Sequence, residues 1–457
     1  MERITIRDDA AKRALIVNRP DGRSQTGSLR AESDSYQELK SRLHQRLLEK
    51  VPYDETLRMT SRAAVADAIY PVVEGFLLEE NVPLSLLERE RLLDDLVNEL
   101  FGLGPLQVLM DDPSITDILV NDYRTIYFER RGKLIRSNLS FRDNQHLLMI
   151  IDRIVTAVGR RLDDNMPMVD ARLPDGSRVN AIIPPLAFRG PALSIRRFGR
   201  EPLSADDLLA NHSLSPAMLE VLKAAVRGRL SILISGGNGT GKTTLLNMLA
   251  SFIPDTERII TIEDTAELRL SREHVISLET RSANIEGQGA ITPRHLVINS
   301  LRMRPDRIIV GEVRSDEAID MLQAMNTGHE GSMGTVHANT PRDALTRLET
   351  MVGMSDLHIP QKSIRRYIAS AINLVIQVSR MADGTRKIVT ISEIHGLERD
   401  VIVMQPLFSF EKYGIDKDGR TIGAFHGAGT RPMFLEKLRG AGISLPPALF
   451  ENVFQIR

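Results

Sequence analysis

The stretch SILISGGNGTGKTTLL, Ser231 to Leu246, restricts this chain more than any other. An apolar run of strand type ends in a glycine-rich turn, then Lys, two Thr and a helical pattern follow. Gly236, four residues, Gly241, Lys242 and Thr243 have the spacing of a phosphate-binding loop. The glycines at 236, 237, 239 and 241 permit torsions that turn successive N–H groups inward. The following helix aims its positive end at the same point. Asn238 and Thr240 complete the loop, and Thr244 continues the first helical turn. Lys242 reaches β- and γ-phosphate oxygens, and the Thr243 hydroxyl can ligate Mg2+. ATP and Mg2+ are therefore the expected cofactors. The motif requires a strand before it and a helix after it, and the sequence supplies both.

From about 215 to 395 strand and helix patterns alternate. Candidate strands lie at 230–235, 258–263, 274–278, 306–311, 332–337, 373–379 and 388–393. This is the pattern of a mostly parallel sheet wrapped by helices, an α/β class. It predicts a RecA-like P-loop NTPase core over 213–395, with 396–457 as a C-terminal extension holding a hairpin and a short helix. Ahead of the core, 105–198 reads as a smaller α/β, PAS-like domain with a curved sheet. Pro174-Asp175-Gly176 marks a hairpin there, because Pro presets the first central torsion and Gly accepts a positive one. Residues 34–101 read as a helical subdomain. Tyr36, Leu39, Leu43 and Leu47 form one apolar stripe, and Leu92, Leu93, Leu96, Val97 and Leu100 form another. Residues 1–33 have little periodicity and read as a disordered arm, and 199–212, with Pro202, as a hinge linker.

Composition excludes several classes. The 457 residues include no cysteine, which removes disulfide frameworks, Cys-zinc sites and Cys nucleophiles. The N-terminus carries charges where a secretory signal needs an apolar core. The apolar run at 371–378 is too short to span a bilayer, so direct membrane insertion is not expected. A cytoplasmic protein, with any membrane role coming through a partner, is. A net charge of −1, 4% aromatic residues and no Trp argue against a nucleic-acid motor.

A phosphate loop needs acids at neighbouring strand ends. IITIEDTAEL brings Glu263 and Asp264 to the end of one strand, and RIIVGEVR brings Glu312 to the end of another. One acid suits the Mg2+ shell, through Glu263 and partly through water, and the other suits activation of the attacking water, for which Glu312 is the choice. The division between them stays open. TGHEGSMGTVHANT carries His329 and His337, eight apart, a step unsuited to zinc ligands on one helix turn. Small residues beside them suggest backbone packed close to a ligand, with either histidine sensing the γ-phosphate. The plainer alternative is a histidine satisfied by a backbone carbonyl in a tight turn.

These stretches, in this order after the loop, resemble the Asp box, Walker B and His box of the ATPases that power type II secretion, type IV pili and type IV secretion. ELFGLGPLQVLMDDPSITDILVNDYRTIYFERRGKL, DARLPDGSRVNAIIPPLAFRGPALSIRRF and the tail from LFSFEKYG resemble the CpaF-type ATPases of tight-adherence (Flp, type IVb) pili. The resemblance runs from about residue 35 to the end. It implies a homo-oligomer, a hexameric ring, with nucleotide at each subunit boundary. It also implies an N-terminal domain whose arginines contact the γ-phosphate. Arg172 and Arg178, flanking the hairpin turn, match that motif, and Arg196 and Arg197 are further candidates. The tetracysteine module of many relatives is absent. The implied function is a motor for assembly, with or without retraction, of a type IVb pilus through inner-membrane platform proteins. The alternative is a type IV secretion ATPase exporting protein or DNA. A non-catalytic nucleotide switch is disfavoured by the intact loop and both acids.

Overall fold

The computed structural model describes residues 36, 38–40, 42–47, 50, 62–130, 132–197, 202–281, 288–355 and 357–456. The expected arm at 1–33 and residues 199–201 of the expected hinge lie outside them. Residues 42–47 are helical, and α1 (Arg62–Glu79) and α2 (Leu86–Leu100) follow. Ser85 and Glu88 cap α2 reciprocally, each side chain taking the other residue's backbone N–H. The leucine stripes meet as expected: Leu43, Leu47, Val65, Ile69, Leu92 and Leu96 make a small core of their own.

The next unit is a six-stranded sheet: β1 (Ile115–Asp122), β2 (Thr125–Arg130), β3 (Lys133–Arg136), β4 (Met168–Arg172), β5 (Arg178–Ile182) and β6 (Ala192–Arg196). Its order is β3-β2-β1-β6-β5-β4, and every neighbouring pair is antiparallel. Alternate residues such as Ile118, Val179 and Ile195 share a core with α3 (Asn144–Ala157). The expected hairpin turn is present, with Gly176 at φ +90°. It sets Arg172 directly opposite Arg178, and the next pairing sets Arg178 opposite Arg196 and Arg196 opposite Asp117. Directly opposed residues share a sheet face. Three arginines and one aspartate therefore form a row across four strands.

The core begins with α4 (Pro216–Arg227), β7 (Ile232–Gly236) and α5 (Lys242–Ala250). Then come β8 (Ile259–Glu263), β9 (Val275–Glu279), α6 (Pro293–Ser300), β10 (Arg307–Val313), α7 (Glu317–Asn326) and β11 (Met333–Val336). α8 (Pro341–Gly353), α9 (Gln361–Ala371), β12 (Leu374–Arg380), β13 (Arg386–Glu398), β14 (Val401–Ile415), β15 (Thr421–Gly427) and β16 (Val453–Ile456) complete it. The ten strands run β16-β15-β14-β13-β12-β7-β11-β10-β8-β9, and β12 through β9 are parallel. All seven expected core strands are found. β7 and β8 are buried along their whole length, which is why they read as unbroken apolar runs. Separate cores cover the two faces, one under α4 and α5, the other under α7, α8 and α9. β13 runs through the expected boundary at residue 395, so the final segment continues the same sheet by antiparallel pairing.

One lock was not foreseen. Arg307, fully buried, sits 2.5 Å from Glu257 Oε2 and donates to the carbonyls of Gly331 and Val226 at 2.9 Å each. Gly331 has φ +80°, and a Cβ there would lie 1.8 Å from Arg307 Nη1. Gly331, two residues past His329, thus makes room for an arginine. Gly331→Ala is expected to destabilise the chain by on the order of 3 kcal/mol. The readout is a lower urea midpoint at unchanged m-value, with nucleotide affinity unchanged because this turn lies at the sheet edge opposite the phosphate loop.

Candidate functional site

Parallel strands bring their carboxyl ends to one edge. Gly236 ends β7 there, Glu263 ends β8, Glu312 is the penultimate residue of β10, and His337 follows β11. A Cβ on Gly236 would lie 2.6 Å from both Thr240 Oγ1 and the Val378 carbonyl, so the loop can close only with glycine. Gly239 and Gly241 take φ of +66° and +95°, and Gly241 is the N-cap of α5. Thr240 donates to the Gly237 carbonyl at 3.0 Å. Asn238 and Gly239 are exposed, and Thr243 and Thr244 are half-buried in the first helical turn.

Lys242 is only 8% exposed, and among the described residues it makes no ion pair with a carboxylate. Its Nζ donates to the Gly237 carbonyl at 3.0 Å and lies 3.1 Å from His337 Nε2. Glu312 Oε1 lies 2.7 Å from that same nitrogen. The other Glu312 oxygen takes Arg314 Nη2 at 2.6 Å, and Arg314 Nη1 reaches Asp264 Oδ2 at 2.7 Å. Burial, then the charge of Lys242, lowers the His337 pKa, so the ring is neutral near pH 7. Burial likewise lowers the Lys242 pKa, with Glu312 working against it. A neutral ring nitrogen carries either a proton or a lone pair. It cannot donate to Glu312 and accept from Lys242 together. One of the two contacts is always unsatisfied, and an anionic oxygen beside Lys242 resolves the conflict.

Glu263 is 4% exposed and turns to its own loop, with Oε1 accepting from the backbone N–H of Glu267 at 3.0 Å and of Leu268 at 3.1 Å. Burial raises its pKa to about 7, against the pull of those N–H groups. A Cβ on Gly311 would lie 2.7 Å from Glu263 Cγ, so β8 and β10 meet here only because residue 311 is glycine. In this arrangement Glu263 shapes the 264–268 loop rather than presenting a free carboxylate to a metal. Among the described residues no group of three or more His, Asp or Glu could hold a metal ion by itself.

The domain of the six-stranded sheet, expected to cap the nucleotide, meets the core on that same loop. Arg172 lies 2.6 Å from Glu279 Oε2 and donates to the Ala266 carbonyl at 3.1 Å. Arg178 lies 3.0 Å from Glu267 Oε1 and donates to the Thr265 carbonyl at 3.3 Å. Arg196, third in the row, pairs with Asp117 at 3.2 Å, and its charge acts on Lys242. Arg197 points the other way, donating to the carbonyls of Asp112 and Ile115 inside its own domain. Sequence alone offered the two neighbours as equals. Strand alternation separates them, and the register with Arg178 was the signal that marks Arg196. Arg314, two residues beyond Glu312, was also passed over.

The histidines part company. His337 is in the network. His329 lies before β11, whose Met333 pairs with Ile232 and Val336 with Ser235, so it sits at the opposite sheet edge. The strand between them spans about 10 Å. Its ring contacts the Thr327 carbonyl at 3.2 Å, the tight-turn alternative. The structure does not bring His329 to the phosphate loop of its own chain. No helix of the described residues is long and apolar enough to cross a membrane.

The family model of the type II/IV secretion system protein matches residues 99–413, and that of the N-terminal domain of type II secretion system protein E matches residues 36–101. A provisionally named conjugal transfer protein of Mycobacterium tuberculosis is 38% identical over 311 residues, covering 66% of this chain and 87% of the relative. The type IV secretion system protein VirB11 of Bartonella quintana is 32% identical over 333 residues, 63% of this chain and 91% of the relative. The solved VirB11 ATPase of the Brucella suis type IV secretion system is 28% identical and aligns with 64% of this chain and 97% of its own, at a TM-score of 0.35.

Glu263 predicts a pH signature. Between its ordinary value of 4.5 and about 7 the folded chain holds a proton that the unfolded chain has lost. Stability therefore falls as pH rises through that window. Glu263→Gln keeps the acceptor for the two N–H groups and removes the charge. Its Tm should exceed that of the natural chain at pH 8 and converge on it towards pH 5, whereas a pH-independent shift would contradict the assignment.

Proposed function

This chain belongs to the type II/IV secretion system protein family, and on that premise we propose that it binds ATP with Mg2+ and hydrolyses it as a motor. The observation that carries this reading is Lys242: a buried ammonium in a glycine cradle, paired with no carboxylate among the described residues and held by one carbonyl and a histidine already claimed by Glu312. Triphosphate oxygens in the cradle take Lys242. His337 Nε2–H then donates to Glu312 alone, which orients that carboxylate to accept a proton from the attacking water. Arg178 and Arg196, on the facing sheet, exchange carboxylate partners for phosphate oxygens as charge develops. Mg2+ supplies charge neutralisation when bound, and the Thr243 hydroxyl, with an acidic side chain through water, would hold it. Glu263 acts chiefly by shaping the loop on which Arg172 and Arg178 rest.

Within the family we favour a CpaF-type motor for type IVb pilus assembly, working as a hexameric ring on an inner-membrane platform. Support comes from residues 36–101, which match the N-terminal domain of type II secretion system protein E. The second reading, a type IV secretion ATPase, is favoured by relatives whose names refer to conjugal transfer and type IV secretion. A deletion strain separates them: loss of surface pili with DNA transfer intact supports the first, and the reverse supports the second.

The chemistry is tested on the purified chain by Mg2+-ATP turnover, nucleotide binding and particle mass. Lys242→Ala should lose binding and turnover. Glu312→Gln should keep binding and lose about a hundredfold or more in kcat, the scale of a missing general base. Arg178→Ala should lower kcat with particle mass unchanged. Turnover by Lys242→Ala at the natural rate would overturn the reading.

A further inference from the structure

The turn between β12 and β13 has no role in the mechanism above, yet it lies where the phosphate loop, the capping domain and the linker meet. Arg380, the last residue of β12, donates to the Gly132 carbonyl and lies 3.3 Å from Glu129 Oε2 on β2. Arg386, the first residue of β13, donates through Nε to the Gly239 carbonyl at 2.8 Å, and its Nη2 lies 3.6 Å from Glu129 Oε1. Lys387 points to the other face and donates through Nζ to the His212 carbonyl at 3.0 Å, at the end of the expected hinge. At the tip the two domains touch backbone to backbone. A Cβ on Gly132 would lie 2.7 Å from the Gly384 carbonyl oxygen, and one on Gly384 would lie 2.9 Å from that of Gly132.

One carboxylate of the capping domain thus holds two guanidiniums of the core, and one of those guanidiniums also holds the phosphate loop. The planar fork of Arg386 makes this a rigid link, because Nε and Nη2 cannot move independently. Glu129 is only 15% exposed, so its pairing is shielded from solvent more than a surface ion pair. Gly239, at φ +66°, has no side chain to hinder reorientation of its peptide planes. Any such movement towards a phosphate displaces the carbonyl that Arg386 grips, and with it the position of Glu129.

We propose that Arg386 is a positioning residue of the phosphate loop, and that the turn from Arg380 to Lys387 couples occupancy of that loop to the position of the capping domain through Glu129. This rests on the nucleotide-binding part of the proposed function and not on hydrolysis. The chain has no cysteine, so Leu134→Cys on β3 and Lys417→Cys between β14 and β15 give one spin-label pair per subunit, read with labelled chain diluted into unlabelled chain so that distances within a subunit dominate. Adding MgADP should shift the distance between the labels. Glu129→Gln and Arg386→Ala should abolish the shift, and Arg386→Lys should restore part of it.

In turnover assays Arg386→Ala should raise KM for ATP about tenfold, the scale of one lost charge-assisted hydrogen bond. Glu129→Gln should lower kcat about tenfold, with KM within about threefold of the natural value. If Arg386→Ala fails to fold, Glu129→Gln carries the test. A label pair that does not respond to MgADP overturns the coupling, as does a natural-sized response in Glu129→Gln. Because ADP binding needs no turnover, a chain that bound but did not hydrolyse would refute the motor reading while these distances still decided the coupling.

Discussion

A buried ammonium without a carboxylate is the constraint on which the site depends. Lys242 is placed by a strand and a helix that have little freedom of their own: β7 is buried on both faces, and Gly236 leaves no space for a side chain. Four other cations at this cleft have acidic partners: Arg172 has Glu279, Arg178 has Glu267, Arg196 has Asp117 and Arg314 has Asp264 and Glu312. Ligand binding at such a site is an exchange of partners rather than a filling of empty space. Each guanidinium that turns to a phosphate leaves a carboxylate behind, so the net gain is smaller than a count of new contacts suggests. Lys242 is the exception, and it pulls the exchange forward.

His337 makes that exchange a matter of logic as well as energy. Its Nε2 faces Lys242 and Glu312 at once, and no tautomer satisfies both. The frustration is local, small and relieved by one event, the arrival of negative charge. The acid proposed to prepare the water is thereby tied to the lysine that reports the phosphate, with no need for a distant signal. The three-arginine row faces the same region from a different domain, and its like charges resist being brought together unless anions separate them.

Much of this was legible before any coordinates. The loop spacing, the apolar strands and the alternating helices identify a parallel sheet because local pattern and long-range arrangement agree in those segments. Glu312 follows from the same reasoning, since it stands at a strand carboxyl end, whereas His337 was offered only together with His329. His329 could not be placed so simply. It shares a motif with His337, but a strand lies between them and carries them to opposite edges. Gly331 misled for a related reason: the close neighbour it makes room for is Arg307, twenty-four residues away in sequence. The second role of Glu263, pinning its own loop, was hidden because backbone N–H groups leave no mark in a sequence. Arg196 was distinguishable from Arg197 only once β5 and β6 had a register.

The meeting of Gly132 and Gly384 has a consequence for how the two domains can move. With no side chains between them, the two turns meet main chain to main chain, so further closing of the cleft along that line is opposed by van der Waals contact. Energy sets how often the jaws open, but atomic radii set how far they shut. A travel limit built from two glycines is altered by any substitution at either one, since every other side chain begins with the Cβ that this contact excludes.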